Sequence, residues 1–314
     1  MSALAVIERK EIQAATYFTD DVVSRWLKFA AVAQKSVVTY SRAVKQMFAY
    51  FKDNNIENPV REDLEDWRDS LISAGKSPST IRLYIGASKL FFRFLSQENL
   101  YPNIADNLKT GVKISYGHKK DALSAQQGKK LLLSINGDSE KDLRDRAIIG
   151  LMLSAGVRTI EICRADIGDI RKINGDYFLY VLGKGRSEKS ECVRLAPQVY
   201  ALIQAYLNVR GKVEKTSPLF TSTAHRNSGQ RLDTQTVRKT IKAKLRGIGL
   251  DDSHLTAHSL RHTAATAALK AGATLREVQQ ALRHTSIVVT QIYLHDLDRL
   301  NNRAECLASS AFGI

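Results

Sequence analysis

Six polar side chains in the C-terminal half of this 314-residue chain are of the types needed to break and remake a phosphodiester. Arg158 stands in Ser-Ala-Gly-Val-Arg-Thr-Ile-Glu and Lys184 in Gly-Lys-Gly. His258 and Arg261 share His-Ser-Leu-Arg-His, His284 stands in Leu-Arg-His, and Tyr293 in Gln-Ile-Tyr-Leu-His. A transition state at phosphorus carries extra negative charge on its equatorial oxygens. Two guanidiniums can each bind that charge through a two-pronged fork, which lysine lacks. A phenol can attack phosphorus if it is helped to lose a proton normally held up to a pKa of about 10. Histidine and lysine supply groups that move protons. Positive side chains here stand in for a metal ion, so neither a metal nor any other cofactor is expected.

Taken singly, each residue is weakly marked. Arg158 follows Gly156 at the end of an apolar stretch, where a surface arginine is ordinary; Glu161, three residues on, is placed to brace it on a helix face. Lys184 sits between two glycines at a hairpin tip, and Lys189 competes with it on the same loop. His258 and Arg261, three apart, share a helical face. His262 follows His258 at i+4, which raises a metal pair, but a zinc helix would read His-Glu-x-x-His, and an arginine inside it opposes the cation. His262 is therefore assigned to the core. Tyr293 is one of 11 tyrosines and gains meaning only from its place nine residues after His284.

In this order and in these contexts the segments resemble the tyrosine recombinase (phage integrase) family, from about Val22 to Tyr293. The resemblance implies a fold that is mainly α with a small antiparallel sheet: an N-terminal helical core-binding, SAM-like domain and a C-terminal catalytic domain. It implies that Arg158 and Arg261 hold the phosphate, with Glu161 orienting Arg158, that His284 adds a hydrogen bond, that His258 is the base, that Lys184 protonates the leaving 5′ oxygen, and that Tyr293 is the nucleophile. The product would be a 3′-phosphotyrosine, rejoined without ATP. The implied partners are double-stranded DNA carrying paired inverted-repeat sites, three further copies of the chain in a tetramer that passes through a Holliday junction, and accessory factors. The chain after Tyr293, with Leu294, Leu297, Leu300 and Leu307, is expected to dock on a neighbouring subunit. The family usually has glycine before the histidine of the Leu-Arg-His segment; Arg283 departs from that pattern. This departure favours integration or excision of a mobile element over Xer-type chromosome dimer resolution or DNA inversion. A type IB topoisomerase, and a DNA-binding protein that has lost cleavage, are the readings from other classes.

The elements that must position these residues read as two domains. Residues 1–20 form an arm, residues 21–110 the helical domain, residues 111–121 a linker, and residues 122–314 the second domain. Tyr40, Val44, Met47, Phe48 and Phe51 fall on one helical face. Leu64, Trp67, Leu71 and Ile72 line a helix over 62–74 with an acidic start. Ser77-Pro78-Ser79 opens a third helix with a stripe of Ile81, Tyr84, Ile85, Ser88, Phe91, Phe92 and Leu95. Its solvated face carries Arg82, Lys89 and Arg93, candidates for phosphate contact, as are Lys119 and Lys120 in the linker. In the second domain, helices are expected over 125–134 and 142–155, the latter amphipathic. Strands are expected over 167–173 and 177–182 around Asn174-Gly175, with a third over 191–195. Four helices follow, over 198–209, 234–247, 258–271 and 274–282.

Composition agrees with a polyanionic partner: the net charge is +15. Residues 21–113 carry 14 basic against 10 acidic side chains, whereas residues 114–314 carry 31 against 19, so the excess lies with the chemical residues. Three scattered cysteines have no metal spacing or disulfide framework. With no signal-peptide pattern and no apolar run of membrane-spanning length, the expected location is the cytoplasm, at the nucleoid.

Overall fold

The computed structural model describes residues 19–31, 34–113, 122–183, 188–293 and 304–313. Lys119, Lys120, Lys184, Leu294, Leu297 and Leu300 lie outside the described residues. The chain divides into two units, residues 1–115 and 116–314.

The first unit holds helices α1 (Asp20–Phe29), α2 (Gln34–Asp53), α3 (Arg61–Ser73) and α4 (Pro78–Gln97). Local chemistry sets where they start. The Thr19 hydroxyl accepts from the Val22 amide ahead of Asp20 and Asp21, and Ser77 caps α4 with Pro78 in the first turn. Trp26, Met47, Trp67, Phe91 and Phe92 fill the core, and Trp26 meets Phe91 edge-on at 5.4 Å. Ile72 is not inward as expected. Leu64, Trp67 and Leu71 make the buried face of α3, and Ile72, a step of about 100° past Leu71, is 38% exposed beside Gly111. Arg82 and Arg93 stand exposed on one face of α4, with Lys89 half-buried between them.

The second unit runs α5 (Ala125–Leu133), α6 (Glu140–Ala155), α7 (Thr159–Arg164), β1 (Ile170–Ile173), β2 (Asp176–Val181), β3 (Glu191–Leu195), α8 (Pro197–Arg210), α9 (Thr234–Gly247), α10 (Ala257–Lys270), α11 (Leu275–Leu282) and α12 (Ala304–Ala311). The sheet is antiparallel in the order β1-β2-β3, with Ile173 opposite Asp176 across the Asn174-Gly175 turn. Both turn residues have positive φ, 50° and 90°, as the tight hairpin requires. Residues Ile167–Asp169, expected as strand, form a 3-10 turn closed by the Asp169 carboxylate on the Asp166 amide.

Helix α6 departs from the amphipathic expectation. Leu143, Arg144, Asp145 and all of 147–152 are buried, so no single inward stripe exists. The cause is that α5, α8, α9, α10 and β3 all pack against this helix. A helix surrounded by partners has no solvent face for the pattern to mark. Its polar Arg144 and Asp145 pair with each other at 2.6 Å, and Arg144 also donates to the Thr221 carbonyl.

Gly156 ends α6 in the left-handed conformation, φ 58°. A Cβ there would lie 2.5 Å from Leu282 Cδ2 and 3.5 Å from Ala264 Cβ. Gly156→Ala is therefore expected to cost about 2 kcal/mol or more, from the left-handed backbone plus the overlap with α11. Urea unfolding measures it, and an unchanged midpoint would refute the close approach of α11 to this turn.

Candidate active site

The left-handed turn at Gly156 redirects the chain so that Arg158 becomes the N-cap of α7, with extended backbone (φ −79°, ψ 151°). Arg158 and Glu161 thus do not lie along one helix face. Glu161, at the third position of α7, turns back on the cap: its carboxylate accepts from the Arg158 amide at 2.7 Å and from Arg158 Nη1 at 2.8 Å. The Glu161 side chain is fully buried, whereas that of Arg158 remains 30% exposed. The Arg158–Glu161 contact therefore has a different origin from a shared helix face: the carboxylate at the third position caps the Arg158 amide, the half of a capping box that an arginine N-cap allows.

Arg261 lies one turn into α10 and is buried. Its guanidinium donates to the carbonyls of Gly156 and Leu282, tying the end of α6 to the end of α11. Burial, then Arg158 and Arg283, pull its pKa down to about 9. It is still a cation at neutral pH, held where a further negative charge is welcome.

Tyr293 is buried and lies between two imidazoles. His262 meets it edge-on at 5.1 Å, and the His284 ring lies parallel to it with centroids 6.2 Å apart. Burial pushes the phenol up, while Arg261, which also hydrogen-bonds it, and Arg158 pull it partly back. His258, exposed in the first turn of α10, contacts His262 at 4.7 Å with the rings edge to face. The ring contacts run from His258 through His262 to Tyr293, so His262 is in the site as well as in the core.

His284 Nδ1 is 2.9 Å from the Thr290 hydroxyl, and the His284 carbonyl accepts from Gln279. Burial, followed by Arg261, Arg158, Arg283 and His258, lowers its pKa to about 4. The imidazole is therefore neutral in the fold. A histidine held neutral contributes stability that is complete above the unfolded value of about 6.5 and declines as pH falls toward 4. His284→Gln is expected to flatten the loss of stability between about pH 6.5 and 4.5, read by urea unfolding. Glu161, held below the ordinary carboxylate range, acts only at lower pH: burial raises it, but Arg283 and the Arg158 amide outweigh that. Equal slopes for the two proteins in the upper window would remove the neutral imidazole.

Lys189, the competitor of Lys184, is tied down. Its ammonium lies 2.7 Å from Asp166 and is bonded also to Asp169, and Arg231 pairs with Asp166 from the other side. Arg283 is marked in sequence only as a departure from a pattern. It occupies a left-handed cap (φ 56°), is buried, and bonds Glu161 at 2.7 Å. Arg158, Arg261, His284 and Tyr293 thus come together at the C-terminal end of α11. Among the described residues no three metal-binding side chains converge, and no helix is long and apolar enough to cross a membrane.

Residues 121–299 match the phage integrase family, and residues 25–99 match the phage integrase N-terminal SAM-like domain. Tyrosine recombinase XerC of Corynebacterium glutamicum is 32% identical over 246 residues, 77% of this chain and 75% of that one. Among solved structures, the XerH site-specific recombinase bound to palindromic difH substrate in a post-cleavage complex aligns with a TM-score of 0.71. The alignment covers 93% of this chain and 84% of that one at 24% identity. A lambda integrase tetramer bound to a Holliday junction aligns at 0.66, covering 89% and 79% at 17% identity. These two structural likenesses speak for the fold. With both of its halves matched in sequence and its arginines, histidines and tyrosine gathered at one helix end, the chain belongs to the phage integrase family: it is a tyrosine recombinase, an enzyme of site-specific DNA recombination.

Proposed function

We propose that this enzyme exchanges strands between two short duplex sites, each a pair of inverted repeats, through a 3′-phosphotyrosine and a Holliday junction. The observation that carries the reading is the convergence of Arg158, Arg261, His284 and Tyr293 on one helix end. Arg158 and Arg261 bind the equatorial oxygens of the scissile phosphate, using N–H donors of the five-donor fork beyond those that hold backbone and carboxylate. His284 adds a hydrogen bond to the same oxygens. Tyr293 Oη attacks in line, giving its proton to His258, and Lys184 protonates the leaving 5′ oxygen. The tie of Lys189 to Asp166 and Asp169 favours Lys184 in that role. The phosphotyrosine keeps the ester energy, so a 5′ hydroxyl from the partner strand can reverse the step.

Arg82, Lys89 and Arg93 of α4, with Lys119 and Lys120, contact the duplex backbone. The segment beyond Tyr293 docks on a neighbouring copy to make the tetramer; the exposed Leu307 and Phe312, 63% and 80% accessible, suit a helix that finds its cover in another subunit. Integration or excision of a mobile element is the favoured role, resting on Arg283. Xer-type resolution is the second reading, favoured by the likeness to XerC of Corynebacterium glutamicum.

Capture of covalent adducts tests the proposal. Purified protein is mixed with total DNA from its source organism and stopped with detergent, and the attached DNA is sequenced, with Tyr293→Phe as the blank. Adducts at paired inverted repeats bounding a mobile segment are the expected outcome. A single chromosomal site selects the Xer reading, and adducts without sequence preference defeat the proposal.

A further inference from the structure

The last carbonyls of a helix have no partner within it and carry the negative end of its dipole. At the end of α11 three guanidiniums from three places take them up. Arg261 of α10 donates to the Leu282 carbonyl, Arg158 Nη2 donates to that of Arg283 at 3.3 Å, and Arg283 reaches back to that of Ala281. Arg283 is the unusual member. It sits at φ 56°, ψ 49°, a conformation glycine takes freely and side-chain-bearing residues rarely adopt. Glycine would make the same turn, so what arginine adds is its side chain.

That side chain is 3% exposed and gives Glu161 Oε2 a 2.7 Å hydrogen bond. The same Oε2 accepts from the Arg158 amide at 2.7 Å, and Oε1 accepts from Arg158 Nη1 at 2.8 Å. One buried carboxylate thus joins Arg158 to Arg283, which stands 122 residues from Glu161 in sequence. Arg283 Nε is buried without a hydrogen-bond partner among the described residues. The guanidinium is therefore held by its Nη groups alone, with its Nε edge inside a site that already carries Arg158 and Arg261. One carboxylate faces three buried or half-buried guanidiniums, an excess of positive charge that an anion entering the site would relieve.

We propose that Arg283 is a positioning residue for strand cleavage. By bonding Glu161 Oε2, the oxygen that also takes the Arg158 amide, it fixes the carboxylate whose Oε1 holds Arg158 Nη1 and so locks the Arg158 fork toward the scissile phosphate, and it adds a third positive charge to the site. The inference rests on the reading of Arg158 as a phosphate ligand. Lysine at this position keeps the charge, but its three N–H donors radiate from one atom, and it lacks the planar fork that holds the Ala281 carbonyl and Glu161 together.

The test uses the full-length protein with arginine side chains isotopically labelled, the Arg158 guanidinium signal being assigned by its loss in Arg158→Lys. Arg283→Gly and Arg283→Lys are compared with the natural protein for the exchange and rotation of that signal, for DNA affinity, and for single-turnover cleavage of the DNA recovered in the adduct experiment. Arg158→Ala is run beside them. In Arg283→Gly the Arg158 guanidinium should exchange and rotate faster than in the natural protein, and cleavage should slow by about 10- to 100-fold with affinity little changed, as expected for a misplaced binding group. Arg283→Lys should recover part of both, and it carries the test if the glycine variant does not fold. An Arg158 signal unchanged by either substitution overturns the proposal, whatever cleavage does. Loosened Arg158 with undiminished cleavage also overturns it if Arg158→Ala is inactive. If Arg158→Ala cleaves normally, what falls is the role of Arg158 at the phosphate, not its brace.

Discussion

Tyr293→Phe is expected to remain folded, to bind DNA with an affinity within about threefold of the natural protein, and to form no covalent adduct. The three expectations have separate physical sources. Folding survives because phenylalanine keeps the ring that packs between His262 and His284. The group removed is one hydroxyl hydrogen-bonded to Arg261, a net loss of about 1 kcal/mol. Arg261 itself stays anchored on the Gly156 and Leu282 carbonyls. Affinity survives because it comes from many phosphate contacts, which no single hydroxyl dominates. Adduct formation is expected to fail because phenylalanine lacks the hydroxyl proposed to attack phosphorus. The check is a denaturing gel of protein mixed with end-labelled DNA, alongside a mobility shift at the same salt. Adduct persisting in the variant would move the nucleophile to another residue, and loss of binding would mean that the hydroxyl organises the site as well as reacting in it. Since burial pushes the Tyr293 phenol up, adduct formation by the natural enzyme should also quicken as pH rises above neutral, a dependence absent from any background in the variant.

The parts of this site readable in sequence are those written in short segments. Gly156 and Arg158 stand two residues apart, and both the left-handed turn and the cap it creates are local events. His258, Arg261 and His262 share one helix, so their common neighbourhood follows from the helical period of about 3.6 residues. The Asn174-Gly175 turn has its own backbone signature, and the paired strands follow from it. What escapes a sequence reading depends on long-range packing. The inward side of α6 cannot be told from its outward side because five elements enclose it. The place of His262 against Tyr293 is set by how the chain after α11 returns to α10. Arg283 is conspicuous as a side chain where glycine is usual, yet its partner Glu161 is remote in the chain and already has a local explanation beside Arg158. A departure from a pattern is visible in sequence; the contact that compensates for it is not.

That compensation makes Glu161→Ala the substitution with the largest expected effect on stability. The carboxylate is fully buried and accepts three hydrogen bonds, from the Arg158 amide, Arg158 Nη1 and Arg283 Nη2. Its removal leaves Arg283, 3% exposed, with no counter-charge, close to Arg261, whose pKa is already drawn down to about 9 by burial and by Arg158 and Arg283. Glu161 is the strongest of the neighbours that hold the Arg261 pKa up, so its loss also makes that cation harder to keep. An uncompensated buried charge typically costs about 3–5 kcal/mol, a large part of the stability of an ordinary domain. The alternative, that the carboxylate merely decorates a site held by backbone, predicts a cost nearer to about 1 kcal/mol. Urea unfolding separates the two, and a second substitution identifies the cause. If stranded charge is the penalty, Glu161→Ala combined with Arg283→Gly should be more stable than Glu161→Ala alone, because the orphaned cation has gone and the left-handed backbone has relaxed. The departure from additivity should be about 1 kcal/mol or more. If the two losses simply add, Glu161 and Arg283 act independently and the buried triad has no energetic reality. Cleavage should fail in both the single and the double variant, because Arg158 has lost its brace in each; rescue of stability without rescue of cleavage would separate what the carboxylate does for the fold from what it does for the phosphate.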